Sequence, residues 1–201
     1  IANQKSAFSG RSVYVLYQDR TDDNQLSANS ILNSSLSENI SLTAGANFRK
    51  LRSHNHQNLL DLLGGQYFLD IDPFYSGDAS QSDLNNPNRQ IGENETYGYN
   101  YLLHALTFDG FTQFKFTYDK ADFYLAQSFS RTEYQREGLY RNGIYADNSF
   151  GKGESITFEN FGFKGGLTYK LNGRNYFDFN GLYQTKAPSL RNSFSNARMN
   201  N

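Results

Sequence analysis

The sequence predicts an all-β fold of antiparallel up-and-down strands forming part of a transmembrane outer-membrane β-barrel. Three observations carry that expectation. Apolar residues recur at every second position in five separate segments, and the connections alternate between tight turns and long loops. A polar chain of mean hydropathy -0.71 nevertheless holds 15 Tyr and 17 Phe. A period of two puts successive side chains on opposite faces of a strand. Apolar residues hidden by alternation in a polar chain suit a wall with lipid on one side and a wet lumen on the other.

The strands follow in order. Ser12–Gln18 and Leu26–Leu36 read as two less regular strands, the second with Leu26, Ala28, Leu32 and Leu36 on one side. Ile40–Arg49 sets Leu42, Ala44, Ala46 and Phe48 against Ser41, Thr43, Gly45, Asn47 and Arg49. Phe111–Tyr118 sets Phe114, Phe116 and Tyr118 against Gln113, Lys115 and Thr117, and Asp122–Ser130 sets Phe123, Leu125 and Phe129 against Tyr124, Ala126, Ser128 and Ser130. Phe161–Lys170 opposes Phe161, Phe163, Leu167 and Tyr169 to Gly162, Lys164, Gly166, Thr168 and Lys170. Asn175–Lys186 opposes Phe177, Phe179 and Tyr183 to Asp178, Asn180, Gln184 and Lys186, with Leu182 breaking the split. The expectation is about seven strands, with Phe114, Phe116, Phe123, Phe129, Phe163, Phe177, Phe179 and Tyr183 facing lipid. Tyr97–Asp119 and Ala121–Glu137 read as extended for more than the ~9–11 residues that cross a bilayer, so they should project above it.

Ser37–Asn39, Asp119–Asp122 and Asn172–Arg174 are tight turns, which assigns them to one rim. Asp19–Asn24, Ser53–Thr96 and Gly138–Thr157 are the longer links, assigned to the other rim. Short turns on one side and long loops on the other is how bacterial outer-membrane barrels are organised. Tyr118 and Phe123 flank one turn, and Tyr169, Tyr176 and Phe177 another, as an aromatic girdle would. Pro73, Pro87 and Pro188 fall in loops or at a strand end, where a missing N–H is tolerated. One short helical turn is expected at Asn58–Leu63, inside a loop long enough to be functional.

Several classes are set aside. The chain lacks Cys, and its 19 basic and 20 acidic residues nearly cancel, so neither a disulfide scaffold nor a nucleic-acid partner is indicated. No apolar run approaches the ~18 residues of a spanning helix. No nucleophile motif, paired-carboxylate signature or phosphate-cradling loop occurs, so no enzyme is expected; Gly162, Gly165 and Gly166 lie in a strand, where they admit close neighbours or a bend.

His54-Asn55-His56 places two imidazoles on one face of an extended segment with Asp61 nearby in sequence. With no third ligand at a characteristic spacing, solvated loop histidines are the expectation, and a metal site the weaker reading. Asp70, Asp72 and Asp78 offer a structural calcium in the 53–96 loop as the one cofactor candidate, without the glycine and terminal Glu of an EF-hand. Arg49, Arg52, Arg131, Glu133, Arg136, Glu137, Lys186 and Arg191 gather where strands leave the bilayer toward the long loops, together with Tyr134, Tyr140 and Tyr145. Of these, Arg49, Arg52, Arg131, Glu133, Tyr134, Arg136, Tyr140, Lys186 and Arg191 are the candidates to face a ligand; the alternative is a hydrated, mutually paired lumen wall and rim.

The run RTEYQREGLYRNGIYADNSFGKG, Arg131–Gly153, and FENFGFKGGLTYKLNGRNYFDFNGLYQTKAPSLRNSF, Phe158–Phe194, resembles the middle of the barrel of TonB-dependent outer-membrane receptors of Bacteroidota. SFSNARMNN, Ser193–Asn201, looks like the start of a following loop; the resemblance is strongest from about Thr96 onward. It implies a barrel of 22 strands around an N-terminal plug, and uptake of a scarce or bulky nutrient powered by the TonB system. The implied partners are outer-membrane lipid, the rest of the chain's own barrel and plug, TonB through an N-terminal part, and a surface lipoprotein. No plug, TonB box or terminal aromatic strand is recognised, so a central barrel fragment is expected. The alternatives from other classes are a small self-contained barrel acting as anchor or adhesin, with an eighth strand in Gly77–Glu95, and a secreted glycan-binding β-protein with separate Phe-faced sheets meeting in a core.

Overall fold

The structure is a computed structural model that describes residues 10–196 and 198–200. Ala197 and Asn201, part of the resembling run at the end, lie outside the described residues. Six long strands form one antiparallel sheet: β1 (Leu16–Ser37), β2 (Ile40–Asp61), β5 (Thr96–Thr117), β6 (Ala121–Gly138), β7 (Gly151–Lys170) and β8 (Tyr176–Gln184), in the order β1-β2-β5-β6-β7-β8. Two short strands, β3 (Phe68–Leu69) and β4 (Gln90–Ile91), make a separate ribbon within the segment joining β2 to β5. The fold is thus all-β and up-and-down, and β1 and β8 stand at the two edges of an open sheet. No helix among the described residues is long and apolar enough to cross a membrane.

Several expected boundaries are corrected. The two strands expected at Ser12–Gln18 and Leu26–Leu36 are one strand, and Asp19–Asn24 is its middle rather than a link. Both faces are polar there, so alternation of hydrophobicity is silent, yet the ladder continues, pairing Asp19 with Gln57 through Asn24 with Arg52. Side-chain bonds from Gln57 Nε2 to Asp19 (2.9 Å) and from Thr21 to Asn55 (3.1 Å) reinforce it. Six long strands therefore replace the expected seven. The same cause shortens the expected link Ser53–Thr96 to residues 62–95 and the link Gly138–Thr157 to residues 139–150. Asn58–Leu63 is not a helical turn: the strand runs to Asp61, whose carboxylate accepts from the Leu63 amide at 2.7 Å, and the chain reverses through left-handed Leu63 (φ 51°) and Gly64 (φ 86°). The last strand stops at Gln184, short of Lys186. No eighth strand forms in Gly77–Glu95, which holds a 3-10 turn at Gly77–Ser80 and the two residues of β4.

The register separates two faces. Ile40, Phe116, Phe123, Leu167 and Phe179 are aligned across five strands, as are Phe48 and Phe108 higher up, and Phe129 with Phe161. All eight aromatics expected to face lipid lie on this one face. Among the described residues no second layer covers it: Phe179 and Tyr183 are 64% and 66% exposed. Phe116 and Phe123 stack at 4.4 Å, and Phe129 meets Phe161 at 5.3 Å. From Ile40 to Phe48 the apolar band rises roughly 27 Å along the strand at ~3.4 Å per residue.

The opposite face is polar and bonded to itself. Asn47 donates to Asp109 (2.9 Å), Tyr124 to Asn180 (2.9 Å), Thr168 to Asp178 (2.7 Å) and Lys170 to Asp122 (2.9 Å). Gly45 and Gly166 lie beneath the rings of Phe111 and Tyr124, where a Cβ would collide with ring carbons.

Candidate functional site

Three of the inter-strand connections, at residues 38–39, 118–120 and 171–175, are short and share one end of the sheet. The other end carries residues 62–95, residues 139–150 and the chain beyond β8, folded together into a cap. The buried apolar core lies beneath this cap, where Leu59, Leu62, Ile91 and Tyr97 pack with Val15 and Phe68. Tyr97 meets Phe68 edge-on at 5.4 Å, and burial pushes its phenol up to about 12.

A polar strut ties the two loops together. Asp70, almost wholly buried, accepts from Arg89 (2.8 Å) and from the Gly98 amide (2.9 Å), which sits at φ 69°. Arg89 also donates to the Thr96 carbonyl (2.7 Å) and to the Tyr140 hydroxyl (2.7 Å), and lies 4.7 Å above the Tyr140 ring. The Tyr140 hydroxyl in turn donates to Thr96 O at 2.9 Å. Burial opposes the charge of Arg89, but its bonds to Tyr140 and Asp70 outweigh this and hold its pKa above the ordinary value. Farther along, Asp83 accepts from the Arg141 amide (3.0 Å), and the Gly143 amide donates to Gln81 O (2.9 Å).

Beside the strut opens a cleft of about 310 Å³ lined by Gln57, Asp70, Asp72, Phe74, Ser82 and Arg198 among others. Asp72 is bridged by Arg198 at 3.1 Å, and Phe74 stands 90% exposed at the mouth. Carboxylates, a guanidinium and a free aromatic ring around one hollow are equipment for hydrogen-bonding and stacking on a small polar ligand.

The sequence-derived candidates are divided by the register. Arg52, Arg131 and Glu133 lie on the Phe face above the apolar band, with Arg131 3.5 Å from Glu159 and Glu133 accepting from Ser155. Arg49, Tyr134 and Arg136 lie on the polar face. Tyr134 donates to Pro188 O (3.2 Å). Arg136 is buried over the Tyr101 ring (4.9 Å) and donates to Ser149 O (3.1 Å) and Asn200 (2.6 Å). Tyr140 belongs to the strut, while Lys186 and Arg191 are exposed beyond β8. Comparison with protein-family models, curated proteins and solved structures finds no match.

The four metal candidates are not brought together. Asp70 and Asp72 are engaged by Arg89 and Arg198, whereas His54 and His56 sit on β2 and meet a different carboxylate. Asp22 of β1 lies opposite His54 in the ladder, and ligand atoms of Asp22, His54 and His56 all lie within 4.8 Å of one another. The two imidazoles stack at 4.2 Å with 24° between planes. His54 Nε2 bonds Asn100 Oδ1 at 2.7 Å, while His56 is 5% exposed and its Nδ1 has no hydrogen-bond partner. The hydrogen bond from Arg20, 3.0 Å away, holds the Asp22 carboxyl below its usual range; burial, then the neighbouring His54, pushes the His56 pKa down. Asp22 escaped the sequence reading because its segment reads as a link, and a ligand supplied across a ladder has no fixed sequence spacing.

Proposed function

We propose that this chain is a stretch of barrel wall from a TonB-dependent outer-membrane receptor of Bacteroidota type, which takes up a scarce or bulky nutrient such as an iron–siderophore, glycan, peptide or vitamin. One observation supports the membrane part of this reading above the others: an uncovered aromatic face backs onto a self-bonded polar face, in strands of up to 22 residues with short turns at one end and a folded cap at the other. A solvent-exposed aromatic band of this extent needs an apolar medium, and lipid supplies one. An open sheet edge in lipid leaves backbone groups unsatisfied, so β1 and β8 require further strands. The receptor part rests on the resemblance of Arg131–Gly153 and Phe158–Phe194.

In this reading the cap and its cleft capture substrate outside the cell. The polar face lines the lumen and holds the plug, whose TonB-driven rearrangement opens the path. The wall itself performs no catalysis.

The test is the intact mass of the native polypeptide carrying this sequence, extracted from outer membranes in detergent. A mass several times 22.9 kDa is expected. A mass near 22.9 kDa, or absence from the outer-membrane fraction, overturns the receptor reading.

A further inference from the structure

We propose that Asp22, His54 and His56 form a binding site for a first-row divalent transition cation, zinc above all, which clamps β1 to β2 on the outer face of the sheet. The site lies six residues beyond Phe48 along β2, roughly 20 Å above the top of the apolar band at ~3.4 Å per residue. It is therefore separate from the band, and none of its three residues lines the cleft beside Asp70.

The donor set chooses the ion. Two imidazole nitrogens and one carboxylate oxygen match the three-ligand zinc sites in which water completes the tetrahedron, and they disfavour calcium and magnesium, which prefer all-oxygen shells. With metal–ligand bonds of about 2.0–2.2 Å, tetrahedral neighbours stand about 3.3–3.5 Å apart. The three donors already lie within 4.8 Å of one another, and the imidazoles must turn out of their stack, now 24° between planes, for both lone pairs to converge on one ion. The β1–β2 ladder does most of the positioning, because Asp22 is the direct cross-strand neighbour of His54, and His56 follows two residues on along the same face.

Two surrounding features fit a ligand role. Asn100 Oδ1 accepts from His54 Nε2, which fixes the ring and leaves the other nitrogen its lone pair, the outer-sphere arrangement usual for a metal-bound histidine. His56 is buried with an unbonded nitrogen, a costly state for a polar atom that a cation would relieve. Two features oppose binding: the stack of the imidazoles, and the Arg20 guanidinium, which holds Asp22 at 3.0 Å and must turn outward, as its exposed side chain permits.

The assay is zinc titration of the full native polypeptide, stripped of metal and held in detergent, by calorimetry, with Cu2+ as a paramagnetic probe. Wild type should take up one more Zn2+ per chain than His56→Gln, uncompeted by millimolar Mg2+, and its Cu2+ spectrum should carry hyperfine splitting from two nitrogens. Asp22→Asn, His54→Gln and His56→Gln should each lose that site. Asn100→Ala, which removes the bond to the His54 ring along with one to Tyr140, should weaken it about 10–100-fold. Arg20→Gln should tighten binding several-fold, and His104→Gln, whose imidazole pairs with Glu137, should leave it unchanged. Equal zinc uptake by wild type and the folded His54→Gln/His56→Gln variant overturns the assignment. Should the buried His56 position fail to tolerate change, Asp22→Asn decides alone, since Asp22 is exposed: undiminished affinity there is equally fatal. The result is independent of the receptor reading, because the intact mass does not bear on it.

Discussion

Phe163 and Phe177 share the uncovered face of the sheet but stand at different heights. Phe163 is level with Gln127, Thr112 and Ala44, halfway between Ile40 and Phe48, whereas Phe177 is level with Tyr169 and Ala121 beside the short turns. If lipid covers this face, the cost of a buried guanidinium follows depth. Phe163→Arg should then destabilise the folded polypeptide in lipid vesicles by about 2–4 kcal/mol and Phe177→Arg by about 0–1 kcal/mol. Urea unfolding followed by the heat-dependent gel shift reads the difference, and equal costs at the two heights would remove lipid as the covering medium. The polar face makes a different demand at single residues. Gly45 leaves room for the Phe111 ring, so Gly45→Val should displace it and cost about 1–3 kcal/mol in the same unfolding assay, against little change for Gly173→Ala in a turn with open space around it.

At the scale of elements, the cap is held to the strands by a strut whose members come from three separate segments: Asp70 and Arg89 from residues 62–95, Thr96 from β5, and Tyr140 from residues 139–150. Asp70→Asn leaves the Arg89 charge half-buried without its carboxylate, a change worth about 3–5 kcal/mol when such a pair is broken by removing one partner. The loss should fall on the cap and spare the sheet. Trypsin should therefore cut rapidly after Arg89 in this variant while β5 to β8 stay intact; an unchanged cutting rate would show that the strut does not hold the cap. Tyr140→Phe removes one hydroxyl and should have a smaller effect in the same assay, about 1 kcal/mol. This element also marks the limit of what the sequence conveys. Strands with one greasy face, such as Ile40–Arg49 and Phe161–Lys170, were legible because hydrophobicity alternates with the strand period there. The upper halves of β1 and β2 were not, since polar residues on both faces erase the period while backbone bonds keep the ladder. The cap's strut and the Asp22–His54–His56 cluster were illegible for a related reason: each joins residues distant in sequence, and only the register brings them together.

For the whole molecule, the edges decide what kind of object the sheet belongs to. β1 bonds only to β2 and β8 only to β7 among the described residues, so half of the backbone groups on each edge strand point away from the sheet. In water such a row is an aggregation hazard, usually blunted by short strands, prolines or bulges. β1 has none of these defences from Tyr17 to Ser35, a long stretch free of proline and regularly paired. In lipid the same row would cost several kcal/mol per unsatisfied group. On the reading proposed above, a further strand pairs each of these edges. Hydrogen exchange on the native polypeptide in detergent should accordingly find the amides of Leu26–Ser35 and Phe177–Leu182 as slow as those of the central strands β5 and β6. Fast exchange confined to alternate residues of β1 and β8, with β5 and β6 protected, would mean that both edges are free and that the sheet is not part of a closed wall.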